Sequence, residues 1–195
     1  MIKRFAILLA IVCSSTYNSS GQQLEYDIIW LGKIGKLHIS KIVDDESLFI
    51  ETNSEVKIPF YKFNWITSTM VKNGKLQSST YQQLLNDKKR EFTEINYAAD
   101  NLWQVLDNDG QKDPINIKNH FYVSRLYFEE PVNEKYIFSE RFGEPLELLN
   151  NGNGHYKLLL PDNNFCEYFY ENGICKIVKA KNGNRTIKMV LAEET

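Results

Sequence analysis

From Leu24 onward, apolar and polar residues alternate in short runs, as in Leu37-His38-Ile39, and the runs are broken at regular intervals by turn-forming pairs. Alternation with a period of two places one side chain in a core and the next in solvent, the signature of a half-buried strand. Strands are predicted near Leu24–Trp30, Lys36–Val43, Ser47–Val56, Trp65–Lys72, Lys75–Leu85, Lys89–Tyr97 and Leu102–Leu106. Others follow near Tyr136–Glu140, Leu146–Leu149, His155–Leu160, Phe165–Glu171, Ile174–Lys181 and Asn184–Leu191. The punctuation is Asn73-Gly74, Asp109-Gly110, Asn151-Gly152, Asn153-Gly154, Asn172-Gly173 and Asn182-Gly183. Such pairs accept positive φ at both central positions of a two-residue hairpin turn, so successive strands are expected to pair antiparallel.

One segment breaks the rhythm. Ile115 to Phe128 carries Phe121, Tyr122, Val123, Leu126, Tyr127 and Phe128, with Ser124 and Arg125 as a narrow polar edge and Pro131 as a stop. On helical spacing these side chains cover most of the circumference, and Asn116 or Asn119 offers a cap. The expectation is a buried helix with a sheet curling around it; the same aromatics also suit a strand.

Before the strands comes a leader. Lys3 and Arg4 precede the apolar run Phe5–Cys13, and a small-residue stretch ends at Ser19-Ser20-Gly21. This is the order of a secretory signal peptide, and nine apolar residues are too few for a spanning helix of about 20. Residues 1–21 are therefore read as a signal peptide cleaved after Gly21, and 22–195 as one antiparallel β domain in the periplasm or outside the cell. An acylated Cys13 is the rival processing route, disfavoured by the bulky Val12 before it. Without the leader's two positive charges, the formal net charge moves from −2 to −4. A mildly acidic chain whose only basic run is Lys88-Lys89-Arg90 argues against a nucleic-acid partner. No apolar stretch is long enough to span a bilayer.

Two cysteines follow the leader, Cys166 and Cys175. With Asn172-Gly173 as the turn, Tyr170 faces Cys175 and Cys166 faces Lys179. The sulfurs are then about 13 Å out of register at ~3.3 Å per residue, beyond the reach of a disulfide, so both thiols are expected free. The same register puts Phe169, Ile174, Val178, Ile187, Met189 and Leu191 on a core face, and both cysteines with Tyr168 and Tyr170 on a more polar one.

Catalytic and metal motifs are absent from the sequence. His38, His120 and His155 have no second ligand at metal spacing, and no nucleophile elbow or phosphate loop occurs. No cofactor is implied. Glu129 and Glu140 form the one carboxylate pair that could serve a glycosidase-like hydrolase. The structural alternative is that Arg125 and Arg141 pair with these acids to fix the helix on the sheet. The 11 Tyr, 11 Phe and 3 Trp exceed what turns and edges need. Trp30, Phe60, Phe63, Trp65, Trp103, Phe121 and Tyr127 are the candidate ligand-binding residues of an apolar cleft.

Several strings carry a resemblance: Tyr26-Asp27-Ile28-Ile29-Trp30 with Gly32 and Gly35, Ser124 to Pro131, Phe138 to Gly143, and Tyr170-x-Asn172-Gly173-x-Cys175. On these the chain resembles a family of uncharacterised exported proteins of Gram-negative bacteria. That family is a domain of unknown function similar to the lipoprotein-localisation carriers. The resemblance implies a half-barrel, a single curved antiparallel sheet wrapped around one central helix. It also implies a non-enzymatic carrier whose partner is an apolar small molecule, a lipid or a lipidated protein. An envelope scaffold that binds through a strand edge is the alternative.

Overall fold

The computed structural model describes residues 20–118, 121–161 and 163–193. Cys13, His120, Asn119 and the leader up to Ser19 lie outside the described residues. Ser20 and Gly21, the proposed end of the leader, are the first two residues of a strand.

The strands are β1 (Ser20–Ile29), β2 (Lys33–Asp44), β3 (Ser47–Ile58), β4 (Tyr61–Lys72), β5 (Lys75–Leu85), β6 (Lys88–Ala99) and β7 (Leu102–Asp107). They continue as β8 (Gly110–Gln111), β9 (Tyr136–Ser139), β10 (Glu144–Asn150), β11 (His155–Leu159), β12 (Phe165–Glu171), β13 (Ile174–Asn182) and β14 (Arg185–Leu191). All fourteen belong to one antiparallel sheet in the order β8-β7-β6-β5-β4-β3-β2-β1-β14-β13-β12-β11-β10-β9. Two meanders thus run outward from the middle, where β1 pairs with β14 through Tyr26 opposite Leu191 and Ile28 opposite Met189. The expected strands and their antiparallel pairing are present.

Alternation organises the faces. Along β3, Ile50, Thr52, Ser54 and Val56 are buried while Glu51, Asn53 and Glu55 are exposed. Three apolar clusters cover the buried face, centred on Tyr26, Ile39 and Ile50; on Leu76, Ile95 and Trp103; and on Leu148, Leu158 and Tyr168. The turns follow the expected chemistry at Asn73-Gly74 and Asn172-Gly173, where both residues have positive φ. Asn86-Asp87 and Asp100-Asn101 make the same turn without glycine, because a short polar side chain tolerates the left-handed region.

The half-barrel wrapped around a helix is not the fold. The sheet is open, is not strongly curled, and no helix of seven residues or more exists among the described residues. In place of the expected helix, Ile115 is bridged to Trp103 and one 3-10 helix spans Val123–Tyr127. The segment's burial was correctly anticipated: Leu126, Tyr122 and Phe128 each enter a different apolar cluster. Its conformation was not. Ile115 donates its N–H to the Trp103 carbonyl and accepts the Trp103 N–H in return, and Tyr122 forms a parallel bridge with Phe138. Backbone pairing to existing strands satisfies the same polar groups that a helix would, and the β-branched and aromatic side chains favour it.

The β12–β13 register is corrected by one residue. Tyr170 faces Cys175, but a bulge at Phe169/Tyr170 moves Cys166 opposite Ala180 instead of Lys179. The core lies on the face that carries Tyr168, Tyr170 and Cys175, the one expected to be more polar, and the bulge brings Val178 onto it. Tyr168, Tyr170, Cys175 and Val178 are buried together, and Phe169 and Ile174 lie on the less buried side. An extra residue in one strand reverses the phase of everything beyond it.

Candidate functional site

On the buried face, beneath the 3-10 helix and the β9–β10 connection, lies a cavity of about 360 Å³. β3, β4 and β5 contribute polar side chains to it, among them Thr52, Ser54, Thr67 and Gln83. β10, β11 and β12 contribute Leu146, Leu158 and Tyr168, and β14 contributes Met189. Of the seven candidate ligand-binding aromatics, Trp65 and Tyr127 line this cavity.

The other five do not. Trp30 sits beside the β1–β2 turn under the Arg185 guanidinium, 5.6 Å from its ring centre. Phe60 is 92% exposed in the β3–β4 turn, and Phe63 stacks on Trp65 at 6.3 Å. Trp103 is core, its indole N–H donating to the Leu76 carbonyl at 2.8 Å. Phe121 is buried against the Arg125 guanidinium.

The polar floor of the cavity is built by Glu140 and the start of the 3-10 helix. Glu140 is 2% exposed. Its carboxyl accepts the N–H of Val123 at 3.1 Å and of Ser124 at 3.0 Å, and the Thr69 hydroxyl at 3.4 Å. Two N–H groups that a short helix leaves unpaired are thereby satisfied. Burial pushes the Glu140 pKa up; the Ser124 hydroxyl and the backbone N–H groups pull the other way. That hydroxyl, close enough to favour the charged form, makes no hydrogen bond by distance and angle.

The arginines divide differently from the expectation. Arg125 pairs with Glu129 at 2.6 Å, as the structural alternative has it. Arg141 pairs instead with Glu91 on β6, a two-pronged contact at 2.8 and 2.9 Å. With Thr93 donating to the Arg141 carbonyl at 2.5 Å, this pins the β9–β10 connection onto β6. Sequence reading could not see Glu91, which lies fifty residues earlier.

The remaining chemistry-bearing residues lie apart. His38 is an exposed side chain 3.1 Å from Glu25. His155 stacks on Phe169 and contacts Glu167 at 3.1 Å, on the face opposite Cys166. Neither Cys166 nor Cys175 is in a disulfide; Cys166 lines the cavity, and burial pushes the Cys175 thiol up to about 12. Among the described residues, no group of three or more His, Cys, Asp or Glu side chains is placed to hold a metal ion, and no helix is long and apolar enough to cross a membrane.

A family model for a domain of unknown function, DUF6134, matches residues 26–192. The chain belongs to the DUF6134 family. No curated protein and no solved structure matches it. The DUF6134 span opens at Tyr26 in β1 and closes just past β14, so it takes in the paired part of the two central strands, the whole cavity and the Glu140 floor. In this chain the DUF6134 span is therefore part of a single sheet with a cavity on its covered face.

Proposed function

We propose that this DUF6134 domain is a non-enzymatic binding module for an apolar small molecule, a lipid or the lipidated end of a partner. It acts in the periplasm or outside the cell once its leader has been removed. The observation that carries this reading is the cavity: about 360 Å³ with Trp65, Tyr127, Leu158 and Tyr168 in its walls. Small-molecule sites are mostly apolar, hold a few placed polar groups, and occupy roughly 300–1,000 Å³. The half-barrel that the carrier resemblance implied plays no part in the argument. Native mass spectrometry after mild extraction tests the reading. A bound apolar molecule is expected to co-purify, and to be lost when Ala180→Phe fills the cavity. An empty protein that also takes up no added amphiphile would overturn it.

A second reading is favoured by one observation. β1 pairs with β2 from Ser20 onward, but β14 reaches only Tyr26, with the Ala192 N–H extending to the Glu25 carbonyl. Ser20 to Leu24 thus have no β14 partner among the described residues, and an edge of this kind accepts an added strand. An envelope scaffold or assembly protein would bind there. Pull-down from envelope fractions distinguishes it, through a stoichiometric protein partner and no small molecule.

A further inference from the structure

We infer that the cavity takes a compact, uncharged amphiphile bearing a hydroxyl group, seated hydroxyl-first against Ser124. The inference rests on the binding reading and narrows it to a chemical class.

Ser124 is 3% exposed and lines the cavity, and its Oγ has no hydrogen-bond partner. Its backbone N–H is committed to Glu140. The side chain, which has the Glu140 carboxyl near it but makes no hydrogen bond, therefore brings a donor and an acceptor to the part of the site walled by Tyr127, Leu146, Leu158 and Tyr168. An alkyl end pressed against that hydroxyl leaves it unpaired where no solvent reaches. A ligand hydroxyl both donates and accepts, so it matches Ser124 whichever way the serine hydrogen turns.

Charge complementarity excludes the ionic amphiphiles. Three charged side chains line the cavity: Glu140, Arg141 and Lys181. Arg141 is held by both oxygens of Glu91, and Lys181 is exposed and lies over the Phe165 ring, 5.2 Å from its centre. A carboxylate driven to the floor would meet Glu140 with no cation to offset it. An ammonium would need the Glu140 oxygens, which already accept three donors. Burial favours the uncharged form of Glu140, which leaves a neutral floor for a neutral head.

Size sets the length. A 150 Å³ cavity holds benzene, so the volume here accommodates roughly 14 non-hydrogen atoms. Dodecanol, with about 13, is of that scale.

The test compares dodecanol, dodecanoate and dodecylammonium, matched in chain length and kept below micelle formation. Each is titrated into the leader-free protein, and tryptophan fluorescence is read because Trp65 lines the site. Dodecanol is expected to bind at least about tenfold more tightly than either ion. Ser124→Ala, checked for an unchanged circular dichroism spectrum, is expected to weaken dodecanol about tenfold and to leave the ions unaffected. Equal or tighter binding of either ion overturns the inference. So does unchanged dodecanol affinity in Ser124→Ala, which would mean that water or an alkyl end faces the serine. Both of those results leave the binding reading intact. Failure of all three to bind overturns that reading as well.

Discussion

The Tyr26 hydroxyl donates a 2.7 Å hydrogen bond to the backbone carbonyl of Cys175, 149 residues further along the chain. It ties β1 to β13 over the intervening β14, which ends opposite Tyr26 itself. Both residues are fully buried. Tyr26→Phe leaves that carbonyl without its donor, at a cost of about 1–2 kcal/mol. Urea denaturation should show a lower midpoint with an unchanged slope.

Glu140 makes stability depend on pH in an unusual direction. Its folded pKa is raised above the ordinary 4.5, chiefly by burial. Below 4.5 both folded and unfolded chains are protonated and its contribution is fully present. As pH rises through the folded value the unfolded chain ionises freely, the folded chain does so at a cost, and stability is lost. Glu140→Gln stays neutral. Its stability relative to the parent should climb from pH 4.5 to the folded pKa and then level off. Glu25, Glu55 and Asp107, whose pKa values are lowered by Lys36, Lys57 and Lys112, slope the opposite way in both proteins and cancel in the comparison. A difference that ignores pH would rule out proton uptake at Glu140.

Arg141 and Glu91 join the β9–β10 connection to β6 by two parallel hydrogen bonds. Lysine keeps the charge but cannot supply the planar fork. Because both side chains are partly exposed, Arg141→Lys should cost only about 0.5–1 kcal/mol, and 1 M salt should leave most of the difference in place, since screening weakens the charge attraction that arginine and lysine share and not the fork geometry. Thermal melts at low and high salt measure both quantities.

The two thiols should report on different events. Cys175 is fully buried with its pKa pushed up to about 12, so almost no thiolate exists near neutrality. Iodoacetamide at pH 8 is expected to modify Cys166 in the native protein and to reach Cys175 only after denaturation. Peptide mass spectrometry gives the order. Native labelling of Cys175 at the rate of Cys166 would show that β13 opens locally.

The strands were legible because Asn-Gly corners and period-two alternation are local signals, each confined to a few neighbouring residues. Turns such as Asn86-Asp87 were less so, since no glycine marks them. The cavity did leave a trace that was not read. Thr52 and Ser54 in β3, and Thr67 and Thr69 in β4, occupy the buried phase of strands whose other inward positions are apolar. Polar side chains on a core-facing phase signal a space that the core does not fill. The 115–128 segment misled because burial and helical shape were taken together. Its aromatics demand enclosure, but the carbonyl of Trp103 and the carboxyl of Glu140, both distant in sequence, decide how its backbone groups are satisfied. Glu91 was invisible for the same reason.

Placing β1 and β14 side by side at the centre has a consequence for how the molecule is made. Each meander can zip up from neighbouring hairpins, but the seam between them waits for Lys188–Leu191 to emerge from the ribosome. Until then the nascent chain is two separate ribbons, each with a raw inner border, and the halves are knitted together only when the last strand is made.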